Sequence, residues 1–191
     1  MEIDVVRERL RHHRPTTVDG TQYARAAVAV VLRPGPDGAE FVAIRRAERP
    51  NDPWSGHMAL PGGRQSSSDA DLFATAARET FEEVGIDLRR DGELLGHLDD
   101  LQAIGRGRLL DLVIRPVVCA VTGPVTLHPD PTEVHTALWV PLASLRRAEV
   151  QGRHRSELGG QALDHPAFVY QGHTIWGLTY RILSGLLAVL P

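Results

Sequence analysis

Apolar positions along this chain follow two kinds of pattern. At the amino end, Ile3, Val6 and Leu10 recur at helical spacing among charged neighbours, which predicts a short amphipathic helix. From Ala26 to Leu32 the run is apolar throughout; turn formers occupy 34–38, and an apolar character resumes from Glu40 to Ile44. That sequence predicts a hairpin whose first strand is too uniformly apolar to alternate. A stretch dense in turn formers, 50–56, leads into Ala59-Leu60-Pro61-Gly62-Gly63. After polar residues 65–68 the spacing predicts a helix reaching Val84. Ser68 and Asp71 resemble its capping box, Gly85 its C-terminal cap, and Phe73, Ala77, Thr80/Phe81 and Val84 its core-facing stripe. Further strands are expected at 109–121 and 136–140, separated by a proline-containing loop from Gly123 to Pro131. The polar stretch 152–166 reads as a mobile loop. The end, 175–190, reads as a helix with weak points at Gly177 and Gly185. Strands mixed irregularly with helices predict an α/β or α+β fold.

Composition narrows the function classes. A length of 191 residues suits one domain with a core that needs neither disulfides nor structural zinc. All 21 basic residues are arginine, which excludes a P-loop lysine, a Schiff-base lysine and a lysine general base. The single cysteine, Cys119, lies in an apolar run and is expected in the core. A formal charge of −3 gives no reason to expect nucleic-acid binding. No run approaches the ~18 apolar residues of a membrane span, and the amino end is too charged for a signal peptide. The expected location is therefore the cytoplasm, with no membrane partner.

The informative segment is Arg78-Glu79-Thr80-Phe81-Glu82-Glu83-Val84-Gly85-Ile86. On a helix Glu79, Glu82 and Glu83 stand at i, i+3 and i+4, so three carboxylates share one face. Converging carboxylates repel unless something positive joins them; Arg78 offsets part of that, and a divalent cation offsets more. All-oxygen ligation favours Mg2+ or Mn2+ over zinc, and Mg2+ held by carboxylates typically completes its shell with water and phosphate. The bland alternative is a solvated charged face. Against it stands the turn Pro61-Gly62-Gly63 just upstream, whose backbone can approach a ligand closely.

Gly63, five residues, Asp69, eight residues and then the Arg78–Ile86 string together resemble the Nudix box. The box has glutamate where Asp69 stands and one residue fewer before the arginine, so no role is carried to Asp69. The one-residue insertion is similar to the coenzyme A pyrophosphatase-like branch. So are Gly56-x-x-x-Leu60-Pro61-Gly62-Gly63, the upstream arginines Arg46 and Arg49, and the closing segment from Ile175 to Leu183. The resemblance implies a single-domain α/β/α sandwich with a mixed sheet, spanning 26–191 (box at about 63–86) after an N-terminal helical extension, 1–25. It also implies hydrolysis of a small-molecule nucleoside diphosphate linked to X. Glu79, Glu82, Glu83 and the Gly63 backbone would bind Mg2+ or Mn2+, and Arg78 would orient a box glutamate. Coenzyme A leads as substrate, cut to 4′-phosphopantetheine and adenosine 3′,5′-bisphosphate. ADP-ribose, dinucleotides, nucleotide sugars and nucleoside triphosphates are alternatives in the same class. A non-catalytic nucleotide-binding domain is the alternative of another class. A homodimer is compatible with this reading.

Outside the box, Glu133 sits just before a strand where a later-loop acid would serve as general base or metal ligand; Glu79 competes for the base. Arg45 and Arg46 end a strand, where neighbours point to opposite faces, so at most one faces the substrate. Arg49 is a third candidate for phosphate contact. Asp99 and Asp100 read as turn acids, His12 and His13 as surface. Trp54 and His57 read as anchors of the loop before the box.

Overall fold

The structure, a computed structural model, describes residues 1–20, 22–50, 54–105 and 107–191; the middle of the turn-rich stretch at 51–53 lies outside the described residues. After helix α1 (Ile3–His12) come strands β1 (Ala24–Gly35), β2 (Gly38–Arg46), β3 (Met58–Ala59) and β4 (Gly62–Arg64). Helix α2 (Leu72–Val84) and a one-turn helix α3 (Leu88–Asp91) follow. Next are β5 (Gly92–His97), β6 (Leu101–Gly105), β7 (Arg108–Val121) and β8 (Val134–Pro141). Two short 3-10 turns lead to β9 (Gln151–Leu158), β10 (Gln161–Tyr170), β11 (His173–Trp176) and α4 (Gly177–Val189).

The main sheet runs β3-β2-β1-β7-β5, with β4 on β1, β6 on β7 and β8 on β2. It is mixed because β1 and β7 pair parallel while their other neighbours are antiparallel. Alternation explains the uniform apolarity of β1. Val30 and Leu32 join Phe41, Val118, Leu183, Leu186 and the α1 residues Val6 and Leu10 on one face. Ala27, Ala29 and Val31 join Val42, Ile44, Cys119 and the α2 residues Ala76, Ala77 and Val84 on the other. A strand covered on both faces needs apolar residues at every position. The result is the expected α/β/α sandwich, with α1 and α4 on one side and α2 on the other. Among the described residues no helix is long and apolar enough to cross a membrane.

Several local expectations need correction. Asp71, not Ser68, caps α2, accepting from the Ala74 amide at 2.7 Å; Ser68 instead contacts the Ser66 hydroxyl. Gly85 does close α2, in the left-handed region at φ +75°. Phe81 is 58% exposed, and Thr80 takes the core position, its hydroxyl donating to the Ala76 carbonyl. The stretch 152–166 is no loop: β9, β10 and β11 form a three-stranded antiparallel sheet. Its strands carry polar residues on both faces, so apolar alternation could not reveal them. The final helix begins at Gly177, after β11. Asp100 is more than a turn acid: it is buried, takes two bonds from Arg115 at 2.8 Å each, and accepts from the Val18 amide. His13 is half-buried rather than on the surface.

Candidate active site

Helix α2 lays Ala76, Ala77, Thr80 and Val84 against the sheet, and its remaining faces carry the charged residues. The three glutamates do not present themselves equally. Glu83 turns inward and is 3% exposed, whereas the Glu82 side chain is 51% exposed; Glu79 lies between these extremes. Burial pushes the Glu83 carboxyl up to about 8; the Gly62 amide, donating at 2.9 Å, opposes the shift. Glu79 and Glu133 add to it, while Arg46 draws it down. Burial also raises the Glu79 carboxyl, against the pull of Arg78. A desolvated carboxylate with acidic neighbours is stabilised by an added cation.

Arg78 organises the cluster. Its Nη1 donates to Glu79 at 2.8 Å and to Glu82 at 2.9 Å. Its Nε and Nη2 form a fork onto Asp69 at 3.1 and 2.9 Å, and Nη2 also donates to the Arg64 carbonyl. Asp69, to which the sequence reading carried no role, is the residue that supports Arg78. It is buried, accepts from the Ser66 amide and the Thr75 hydroxyl, and is held by Arg78 well below the usual carboxylate range. The signal was the acid in the first half of the box, discounted because of the inserted residue.

Two glycines bring backbone to this cluster. Gly62 (φ +153°) lies so close to β1 that a Cβ there would collide with the Ala27 carbonyl oxygen. A Cβ on Gly63 would stand 2.5 Å from the Glu79 carboxylate, so only glycine leaves room for that side chain. The donor set is all oxygen and places a buried carboxylate, Glu83, among acidic neighbours. It therefore fits a hard divalent cation. Among the described residues no three His, Cys, Asp or Glu side chains stand gathered around one point. Glu79 and Glu82 turn to Arg78, and Glu83 to the Gly62 amide.

The remaining candidates divide. Arg46 acts electrostatically on Glu83, placing it on the α2 face of the sheet. Arg45 points away, toward Glu48 at 3.3 Å and a cavity that includes His57 and Trp176. Arg49 reaches the Thr132 carbonyl and the Glu133 carboxylate, the latter at 3.3 Å. The Glu133 carbonyl accepts from the Ala47 amide at 2.8 Å, tying its loop to the end of β2. Trp54 is 48% exposed, so it does not anchor its loop by burial; His57 packs edge-on against Trp176, ring centres 5.1 Å apart.

The arrangement fits a hard, oxygen-bound cation. The NUDIX domain family model matches residues 23–158. The chain belongs to the Nudix hydrolase family. Members of this family generally use a divalent cation such as Mg2+. Among curated Nudix relatives, the mitochondrial coenzyme A diphosphatase NUDT8 of Homo sapiens is 30% identical over 87% of this chain and 70% of its own length. The Nudix hydrolase NudL of Photorhabdus laumondii is 28% identical over 88% of this chain and 84% of its own. An uncharacterized Schizosaccharomyces pombe protein, C14C4.10c, is 42% identical over 58% of this chain, which spans only 34% of it. These relatives bear out the resemblance to the coenzyme A pyrophosphatase-like branch. The fold is shared with a MutT/nudix family protein from Enterococcus faecalis (TM-score 0.53, 17% identity, 94% of this chain and 65% of that one). It is shared too with the C. elegans Ap4A hydrolase (TM-score 0.52, 20% identity, 63% and 81%).

Proposed function

We propose that this Nudix chain is a Mg2+- or Mn2+-dependent pyrophosphohydrolase whose substrate is coenzyme A. The observation that carries the reading is the box itself. It joins a buried Glu83, a Glu79 fitted against Gly63, and an Arg78 locked by Asp69. Glu79, Glu82, Glu83 and the Gly63 backbone would hold the cation. When bound, it neutralises diphosphate charge, polarises a phosphorus–oxygen bond and favours deprotonation of water.

The chain's own residues do the rest. Arg78 fixes Glu79 and Glu82 in place, spending no motion during reaction. Arg46, on the same side as Glu83, meets the negative charge of the diphosphate, and Arg49 does so from the segment after β2, beside Glu133. Glu133 accepts the proton of the attacking water; its charge raises the carboxyls of both Glu79 and Glu83, which supports that role. Glu79 is the competing base: burial raises its carboxyl, and it is paired with Arg78 as Glu133 is with Arg49. The NUDT8 relative supports coenzyme A over the other diphosphates.

Product analysis of the purified chain with Mg2+ tests this, offering coenzyme A beside ADP-ribose, a dinucleotide and a nucleoside triphosphate. Release of 4′-phosphopantetheine and adenosine 3′,5′-bisphosphate is expected. Cleavage of another member alone would refute the substrate; no cleavage with either metal would count against the hydrolase reading.

A further inference from the structure

A second cavity, of about 420 Å3, opens on the face of β2 opposite the carboxylates. Its lining includes Arg45, His57, His154, His173, Gln171 and Trp176, and no described lining residue is acidic. Two strands of the small sheet and the loop before β3 deliver the imidazoles. His154 stacks on Trp176 with ring centres 4.0 Å apart; behind it His165, its cross-strand partner, lies 5.2 Å from the same indole. Among the described residues Arg45 pairs with one carboxylate, that of Glu48, whose side chain is 78% exposed, and donates to the Gly56 carbonyl at 3.4 Å. An ion pair that open to water is readily exchanged for a better-placed anion.

We propose that this cavity is a phosphomonoester subsite, taking a phosphate that the substrate bears outside the diphosphate that is cut. The inference rests on the hydrolase reading and specifies its substrate class. Arg45 supplies a positive charge, His57, His154 and His173 supply ring N–H groups, and the described lining holds no carboxylate, a combination that favours an anion. A guanidinium fork with imidazoles suits the several acceptor oxygens of a phosphomonoester better than the two of a carboxylate. The volume falls within the ~300–1,000 Å3 of small-ligand sites, room for a phosphorylated sugar rather than a bare ion. Position links the cavity to the reaction. Arg45 and Arg46 are consecutive, their Cα atoms about 3.8 Å apart, yet one lines this cavity and the other acts on Glu83. The end of β2 therefore divides one substrate between two anion sites. Coenzyme A carries such a phosphate on its ribose.

Calorimetric titration of the metal-free chain with adenosine 3′,5′-bisphosphate and with AMP tests the subsite without turnover. The bisphosphate should bind about tenfold or more tightly, and Arg45→Gln or His173→Gln should bring the ratio toward one. Circular dichroism confirms that each variant is folded. Equal binding of the two nucleotides by the wild type would overturn the proposal, as would a preference that survives both substitutions. Turnover of coenzyme A against its 3′-dephospho form separates this from the underlying reading. Cleavage of neither, with the binding preference intact and sensitive to Arg45, refutes coenzyme A as the hydrolase's substrate and leaves the subsite standing. Cleavage of both with equal kcat/KM and equal nucleotide binding removes the subsite and leaves the hydrolase.

Discussion

Replacing Asp69 by alanine removes the support beneath Arg78, and both fold and chemistry should register it. The Asp69 side chain is 3% exposed and receives four hydrogen bonds: two from Arg78, one from the Ser66 amide and one from the Thr75 hydroxyl. Breaking a buried pair from one side typically costs about 3–5 kcal/mol, because a charge is left uncompensated. Arg78 is not fully stranded here. Its side chain is 28% exposed and keeps Glu79, Glu82 and the Arg64 carbonyl. Discounting for that solvation and those partners gives about 2–3 kcal/mol. In a chain of this size such a loss lowers Tm by roughly 4–12 °C. Loss of a side chain that orients a metal-site residue also lowers activity about 10–100-fold.

Asp69→Asn separates charge from shape, and pH then supplies the sign. The folded carboxyl lies well below its ordinary 3.8, so its charge stabilises the fold fully above about pH 4. That contribution fades as pH falls further, toward the depressed folded value. Scanning calorimetry at pH 7, 5, 4 and 3 should show wild type ahead of Asp69→Asn by a constant margin down to about pH 4, narrowing below it. An unchanged Tm in Asp69→Ala, or a wild-type-to-Asn gap that stays constant through pH 3, would refute the argument that Asp69 holds Arg78 by charge.

Gly63→Ala places a methyl 2.5 Å from the Glu79 carboxylate, which must shift by about 1 Å to relieve it, and a misplacement of that order lowers kcat about 100-fold; a wild-type rate would mean the close approach is unimportant. Glu83→Gln keeps an oxygen for the Gly62 amide but removes a desolvated charge. Without metal it should unfold at the same temperature or higher while turnover falls by orders of magnitude, and near-normal turnover would exclude Glu83 as a ligand. Glu133→Gln should lower kcat by about 10²–10⁴ with Mn2+ affinity retained, measured by titration calorimetry; an unchanged rate reduces Glu133 to a loop residue.

What was legible in the chain follows from which residues obey a local rule. The i, i+3, i+4 spacing announced the carboxylates because helix geometry is local, yet it could not say that Glu83 would turn under the sheet edge while Glu82 stayed in water. Asp69 was missed because an inserted residue seemed to move it out of register. In the structure α2 starts only at Leu72, and Arg78 still reaches back across the longer gap to Asp69 at 3.1 and 2.9 Å. The parallel pairing of β1 with β7 spans too much sequence for any local pattern to report it. The β9–β10 hairpin escaped for the opposite reason. Its alternation is present, with Gly152, His154 and Ser156 half-buried between exposed neighbours, but the sheltered face is polar. A strand that turns histidines inward has forgone apolar burial, so another energetic return must justify the arrangement. Trp176 supplies some of it through stacking with His154. The imidazoles that remain, joined to the Arg45 guanidinium at the end of β2, make the kind of surface whose stability rises when an anion enters it.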